Sequence, residues 1–417
     1  MAADLHKTID AVWRIESPRL IAGLARMVRD VGLAEELAQD ALVVALERWP
    51  ETGVPDNPGA WLMATAKNRA IDRLRRVKMA DRKHAEIGRE MEEGLDPTAH
   101  IEAALDDDIG DDLLRLVFTA CHPVLNTEAR VGLTLRLIGG LTTDEIARAF
   151  LVPEATLAQR IVRAKRTLAE ANVGFEVPRG ADLKPRLASV LEVIYLIFNE
   201  GYTATAGDQW ARPPLCEEAL RLGRILAGLA PGEPEVHGLV ALMEIQASRL
   251  AARLGPTGEP ILLMDQNRAR WDHAAIRRGL AALARAEAQG EIGAYTLQAA
   301  IAACHARAAT AGDTDWTRIA ALYDALATIQ PSPVVELNRA VAVAMAEGPA
   351  AGLAIIDSIA REPALKAYHL LPAARGDMLE KLGRRREAKA EFERAAAMTR
   401  NARERAVMLK RAADCGA

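Results

Sequence analysis

Between Trp61 and Lys83 the chain carries eight lysines or arginines against two aspartates. Such a group suits phosphate neutralisation, and the tryptophan at its start can stack on an unpaired base. Spacing decides whether the charges act together. Read as a helix from about Gly59, the stretch sets Met63, Ala66, Ala70, Leu74 and Val77 on one apolar stripe at intervals of three and four. Asn68, Arg69, Asp72, Arg73, Arg75 and Arg76 then share the other side. Pro58 suits a first helical turn, behind a cap at Asn57. The plain alternative is a solvated basic helix with no ligand.

A second basic group lies further on, in GGLTTDEIARAFLVPEATLAQRIVRAKRTLAEA from Gly139. Thr142 or Thr143 caps a short helix, with Glu145 placed for a capping box and Ile146, Ala147 and Phe150 inward. Leu151, Val152 and Pro153 make a turn. A following helix from Glu154 keeps Leu157, Ile161 and Leu168 inward and Thr156, Gln159, Arg160, Arg163, Lys165 and Arg166 outward. This is a helix-turn-helix pattern whose second helix fits a major groove. Thr156, Gln159 and Arg160 would meet base edges, and Arg163, Lys165 and Arg166 phosphates. Between the two basic groups, residues 86–112 hold eleven Asp or Glu and one Arg, the pattern of an acidic linker.

Word order within these stretches is more specific than charge. The pattern Trp61-Leu62, Asn68, Asp72, Arg75-Arg76 resembles the promoter-melting segment of the extracytoplasmic-function (ECF) group of RNA polymerase sigma factors, in the sigma-70 family. The helix-turn-helix resembles the −35-reading segment of the same family and follows in the same order. The resemblance implies that Trp61, Asn68, Arg69, Asp72, Arg73, Arg75 and Arg76 serve the −10 element, with Asn68 in a pocket for a flipped base. It implies the −35 element for the outward residues of the second motif. It also implies that the preceding helix, GLAEELAQDALVVALERWP, docks on the β′ clamp of core RNA polymerase through Glu36, Gln39 and Asp40, while the second motif meets the β flap. On that helix Leu37, Ala41, Val44 and Leu46 are expected in the core, with Glu35, Glu36, Gln39, Asp40 and Glu47 outside. Residues 5–29 are expected to form an earlier helix broken or kinked at Pro18, and Glu51 to Asn57 a turn-rich loop.

The elements that carry these residues are helical throughout. The chain has 417 residues, and aromatics make up only 4%, with no alternating runs that would mark strands. An all-α fold follows: residues 1–80 as a first sigma-type domain, 81–111 as the acidic linker, 112–172 as the helix-turn-helix domain and 173–186 as a second linker. Residues 187–287 form a further helical domain, and 288–417 a solenoid of helical repeats. In the last part Gly312, Gly348 and Gly383 are 36 and 35 residues apart, and Gly376, Gly383, Ala388, Phe392 and Ala395 fall at tetratricopeptide-like spacings. Such repeats leave a face for a protein or ligand partner. A sigma factor with this extension resembles the subgroup whose tail regulates the factor.

Two polar islands interrupt residues 187–287. Glu200 and Tyr202 lie in one, and Asp265, Arg268 and Trp271 in the other. They make either a network between helices or a tail pocket. No nucleophile–base pair or metal spacing is visible, so no catalytic residue, metal or cofactor is assigned, and the chain is read as no enzyme. Net charge is −4, which confines nucleic-acid contact to local patches. Cys121, Cys216, Cys304 and Cys415 form no CxxC pair, in keeping with a reducing cytoplasm. The lack of a signal core or an 18-residue apolar run argues against membrane insertion. Two rivals stay open: a stand-alone helix-turn-helix regulator with a sensor tail, and an enzyme within residues 187–287.

Overall fold

The computed structural model describes residues 2–85, 109–150, 152–204, 210–255, 260–290 and 292–416; the side chains of residues 2–7, 74, 76–85 and 109–111 lie outside that description. Among the described residues the regular elements are helices, and Leu254 and Pro260 form an isolated β-bridge. The chain divides into two compact units, Met1–Val193 and Ile194–Ala417.

In the first unit α1 (Ala2–Val28), α2 (Val31–Thr52) and α3 (Pro58–Ala85) pack on one another. The break expected at Pro18 does not occur, since α1 runs through it. Pro18 is itself buried, beside Leu20, Ile21 and Leu24, and that packing outweighs the backbone bond that a proline forfeits. Asp30 caps α2 by accepting from the Leu33 amide at 2.9 Å. The helix continues to Thr52, so the expected loop shortens to residues 53–57. Gly53, with φ of 82°, closes it. Asn57 caps α3 through the Ala60 amide at 3.0 Å, as its side-chain type implied.

Two placements on α2 differ from expectation. Leu46 is 37% exposed, and Ala45 and Trp49 take the inward positions. Glu35 is 3% exposed rather than solvated. One residue along a helix is a rotation of about 100°, which suffices to carry a side chain across the boundary of an apolar stripe.

The second half of this unit holds α4 (Ile109–Ala120), α5 (Thr127–Leu137), α6 (Thr143–Phe150) and α7 (Glu154–Glu170). The Thr142 hydroxyl accepts from the Glu145 amide at 3.1 Å while the Glu145 carboxylate accepts from the Thr142 amide at 2.8 Å, a complete capping box for α6. Leu157, Ile161 and Leu168 are buried, with Leu157 and Ile161 facing Gly132 of α5. Asp112, expected at the edge of the acidic linker, is buried and bound to Arg26 and Arg115. Residues 86–108 of that linker lie outside the described residues.

Helix α8 (Leu183–Tyr202) starts in the first unit, where Arg186 donates to the Phe118 carbonyl at 2.8 Å and Ser189 to the Cys121 carbonyl at 2.6 Å. In the second unit follow α9 (Pro213–Leu229), α10 (Pro234–Ala247), α11 (His273–Ala288), α12 (Ala294–Arg307) and α13 (Trp316–Ile329). The series ends with α14 (Pro333–Glu347), α15 (Pro349–Ile359), α16 (Leu370–Lys381), α17 (Arg385–Met398) and α18 (Ala402–Asp414). Successive helices pair from α10 onward. Gly376 on α16 meets the Phe392 ring of α17 so closely that a Cβ would lie 2.8 Å from it. Gly348 and Gly383 turn α14 into α15 and α16 into α17 with positive φ. Gly312 lies instead in a short 3-10 turn before α13, so the first of the three spaced glycines has a different place from the other two.

Candidate functional site

Helix α3 presents Asn68, Arg69, Asp72, Arg73 and Arg75 as one exposed row, because Leu62, Ala66 and Ala70 behind them are fully buried. Arg76 lies on the same helix, with its side chain outside the described residues. Trp61 at the start of the row is half-buried and packs edge-on against Trp49 of α2, ring centroids 5.4 Å apart. That contact fixes the indole at a helix start, with part of its surface open to solvent.

The acidic residues of α2 meet this row directly. Asp40 pairs with Arg69 at 3.1 Å and Glu36 with Arg73 at 3.3 Å. Both pairs repeat at one helical turn, so the acidic row of α2 and the basic row of α3 run side by side. All four side chains are well exposed, so each pair holds weakly and is easily exchanged for another partner. Gln39 is half-buried and donates to Glu35 at 2.7 Å.

Glu35 is the residue that the sequence reading left outside. Its buried carboxylate also accepts from Arg136 of α5 at 2.8 Å and pairs with Lys165 of α7. Arg14 of α1 likewise pairs with Glu145 of α6. Lys165 is therefore turned inward, a correction to its outward assignment, and Arg160 is half-buried against Glu128 at 2.6 Å. Thr156, Gln159, Arg163 and Arg166 remain exposed along α7. The exposed rows thus comprise part of each basic group, and a buried carboxylate holds one cation of the second.

Models of sigma-70 region 2 and of sigma-70 region 4 match residues 13–79 and 115–168. The chain is 30% identical over 154 residues to the ECF RNA polymerase sigma factor SigK of Mycobacterium tuberculosis, covering 36% of this chain and 78% of SigK. The chain belongs to the ECF RNA polymerase sigma factors. Like the family, this sigma factor directs RNA polymerase to promoters and so initiates DNA-templated transcription. It is also 27% identical over 177 residues to the probable ECF RNA polymerase sigma factor SigI of the same species, covering 41% of this chain and 58% of SigI. An uncharacterized protein of Rhizobium meliloti is 43% identical over 403 residues, 95% of this chain and 93% of its own. A model of a family of unknown function, DUF6596, matches residues 186–287. No solved structure matches the chain. Among the described residues, no helix is long and apolar enough to cross a membrane.

The tail residues of the sigma factor assemble in part. Glu200 pairs with Arg212, and Asp265 is exposed and stands apart. Tyr202, Arg268 and Trp271 come together around two arginines that the sequence reading missed. Arg253 lies between Tyr202 and Trp210, its Cζ 3.5 Å and 4.3 Å from the two ring centroids. Arg249 lies 5.8 Å from the Tyr202 centroid and 5.9 Å from that of Trp271, over which Arg268 sits at 4.7 Å. Burial pushes the Arg253 and Arg268 guanidiniums below their ordinary range, and Arg249 pushes both further. His305 is driven down to about 4 by burial and by Arg249 and Arg268. The available signal was the pair Arg249 and Arg253, one helical turn apart in an otherwise apolar run.

Proposed function

We propose that the sigma factor holds core RNA polymerase through Glu36, Gln39 and Asp40 against the β′ clamp, with residues 112–172 at the β flap. Strand opening at the −10 element is assigned to Trp61, Asn68, Arg69, Asp72, Arg73, Arg75 and Arg76. Reading of the −35 element is assigned to Thr156, Gln159, Arg160 and Arg163, with Arg166 toward phosphates. The observation that carries this reading is the exposed row on α3, continuous from Asn68 to Arg75 and flanked by an indole. Among the described residues, Arg69 and Arg73 of this row pair with exposed acids of α2, which a polyanion can displace at small cost.

The chain itself makes and breaks no bond, and it acts in the cytoplasm alongside polymerase. Residues 187–417 gate its activity. Separately from the tail, Lys165 of the recognition helix is held by Glu35 on the helix assigned to polymerase, so docking on α2 and freedom of α7 are linked. The test is run-off transcription with purified core enzyme and genomic fragments, using the full chain and chains shortened at the tail. Promoter-dependent transcripts that require core enzyme and this chain together are the expected outcome. Failure to bind core enzyme removes the reading, and transcription independent of the tail under all conditions removes the gating.

A further inference from the structure

Arginines buried in proteins are ordinarily matched by carboxylates, because a guanidinium out of water loses its hydration. Arg249, only 8% exposed, has no carboxylate in ion-pair contact among the described residues. It follows α10, and its buried Nε has no hydrogen-bond partner. Neither has the indole Nε1 of Trp271, 4% exposed, nor the side-chain oxygen of Gln266, 9% exposed. The neighbouring cations do not relieve the charge. Arg253 spends its donors on the Tyr202 carbonyl and on the Thr203 hydroxyl at 3.0 Å. Arg268 spends its own on the His305 carbonyl, the Ala308 carbonyl at 2.8 Å and the Thr314 hydroxyl at 3.3 Å.

The acids that these guanidiniums sense are already engaged. Asp313 accepts from the Thr310 amide and hydroxyl at 2.9 and 2.8 Å, and Glu404 accepts from Thr399 at 2.7 Å and pairs with His369 at 3.1 Å. Among the described residues, then, three guanidiniums gather around aromatic rings without a carboxylate in ion-pair contact. The outer members, Tyr202, Trp210 and Arg268, are partly exposed.

We propose that Arg249, Trp271 and Gln266, walled by Tyr202 and Trp210 and flanked by Arg253 and Arg268, form a binding site for a small organic oxyanion, a carboxylate or a phosphate ester. The chemistry follows from the unused groups. Two buried donors await an acceptor, the surrounding charge is positive, and the rings suit a flat or apolar body. The free amide oxygen of Gln266 suits a hydroxyl on the same ligand. Occupancy supplies the counter-charge that the described residues lack and so ties the turn after α10 to α8 and to the turn before α11. The inference concerns binding alone and stands whether or not the tail gates transcription.

The test uses the full chain titrated with sodium phosphate and, separately, sodium benzoate at constant ionic strength, followed by tryptophan fluorescence and by thermal unfolding. A saturable fluorescence change and a raised melting temperature are expected with at least one anion, and the responding anion tells phosphate ester from carboxylate. R249M, folded by circular dichroism, should lose the saturable response and melt no lower than the parent without anion, since it removes an unmatched buried charge. R249K should keep the response at roughly 10-fold weaker affinity, having the charge but not the planar fork. The proposal is overturned if neither anion gives saturation, or if R249M responds like the parent. It is also overturned if saturation appears only after Asp208→Asn and Glu259→Gln, two acids outside the described residues, because the chain itself would then fill the site.

Discussion

The two units handle positive charge in opposite ways. On α3 Arg69 and Arg73 stand in water, each within reach of an acid on α2 that is equally exposed. In the second unit Arg249 and Arg253 are withdrawn from water and set against rings, with no such acid among the described residues. An exposed pair contributes little and is quickly exchanged, so the first arrangement keeps cations ready for an external polyanion. A buried unmatched cation is costly and tolerated only where something else requires it. The contrast sets the row proposed to meet nucleic acid against the cluster proposed to take an anion, and four measurements bear on it.

The largest effect belongs to the exposed row. Arg75→Glu with Arg76→Glu should weaken promoter opening by on the order of 100-fold and lower the salt-dependence slope of binding by about two, while leaving the fold intact. Permanganate footprinting of the −10 region and filter binding at several salt concentrations would measure both. Unchanged opening would mean that these charges are merely solvated.

Glu35 is the point in the first unit where the contrast narrows, since its buried carboxylate gathers Arg136, Lys165 and Gln39. Glu35→Ala should destabilise that unit by about 2 kcal/mol, below the full value for a buried pair because both cations keep roughly a fifth of their surface in water. Urea unfolding would read this. The same variant frees Lys165 and should raise the affinity of the isolated factor for −35 DNA. A loss of stability with no gain in DNA binding would make Glu35 purely structural.

These residues also mark how far the sequence could be read. The rows on α3 and α7 were legible because helical period and cap chemistry are local: Asn57, Thr142 and Glu145 cap where their types imply. Glu35 was not, since its neighbour Glu36 has the same charge and its partner Arg136 is 101 positions away. The path of α1 through Pro18 was hidden for the same reason, being decided by tertiary packing rather than local preference. In the tail, Tyr202, Arg268 and Trp271 were legible as polar punctuation in apolar helix. Arg249 and Arg253 drew no reading, since their spacing in an apolar run is a faint signal until their burial is known.

The pH dependence of the second unit gives the third measurement. His305 is 8% exposed and held down to about 4, whereas unfolded it titrates near its ordinary 6.5. The unfolded chain therefore takes up the proton first as pH falls. The stabilisation is complete above 6.5 and is lost progressively between 6.5 and about 4, at up to about 1.4 kcal/mol per pH unit. His305→Gln should flatten this part of the pH–stability curve. If the arginine cluster is what depresses His305, R249M should move its titration upward, as seen by NMR of the imidazole protons.

Arg411 provides the internal control and the smallest effect. It too is set against a ring, its Cζ 4.3 Å from the Phe392 centroid, but it is matched by Asp377 at 2.7 Å and by Glu380. Burial alone would push the Asp377 carboxyl up, yet bonds from Lys381 and Arg411 hold it below its ordinary range. Arg411→Met removes its bonds to Asp377 and Glu380 but leaves Lys381 on Asp377, and with all three groups partly in water the loss should be only about 1 kcal/mol, present above the ordinary carboxyl range and lost as pH falls below it toward the depressed Asp377 value. The sign is what matters. Two arginines of one unit, both packed on aromatic rings, should respond to the same substitution in opposite directions, Arg411→Met downward and Arg249→Met level or upward. If both fall alike, ring packing rather than the state of the counter-charge governs arginine here, and the distinction between the two kinds of site dissolves.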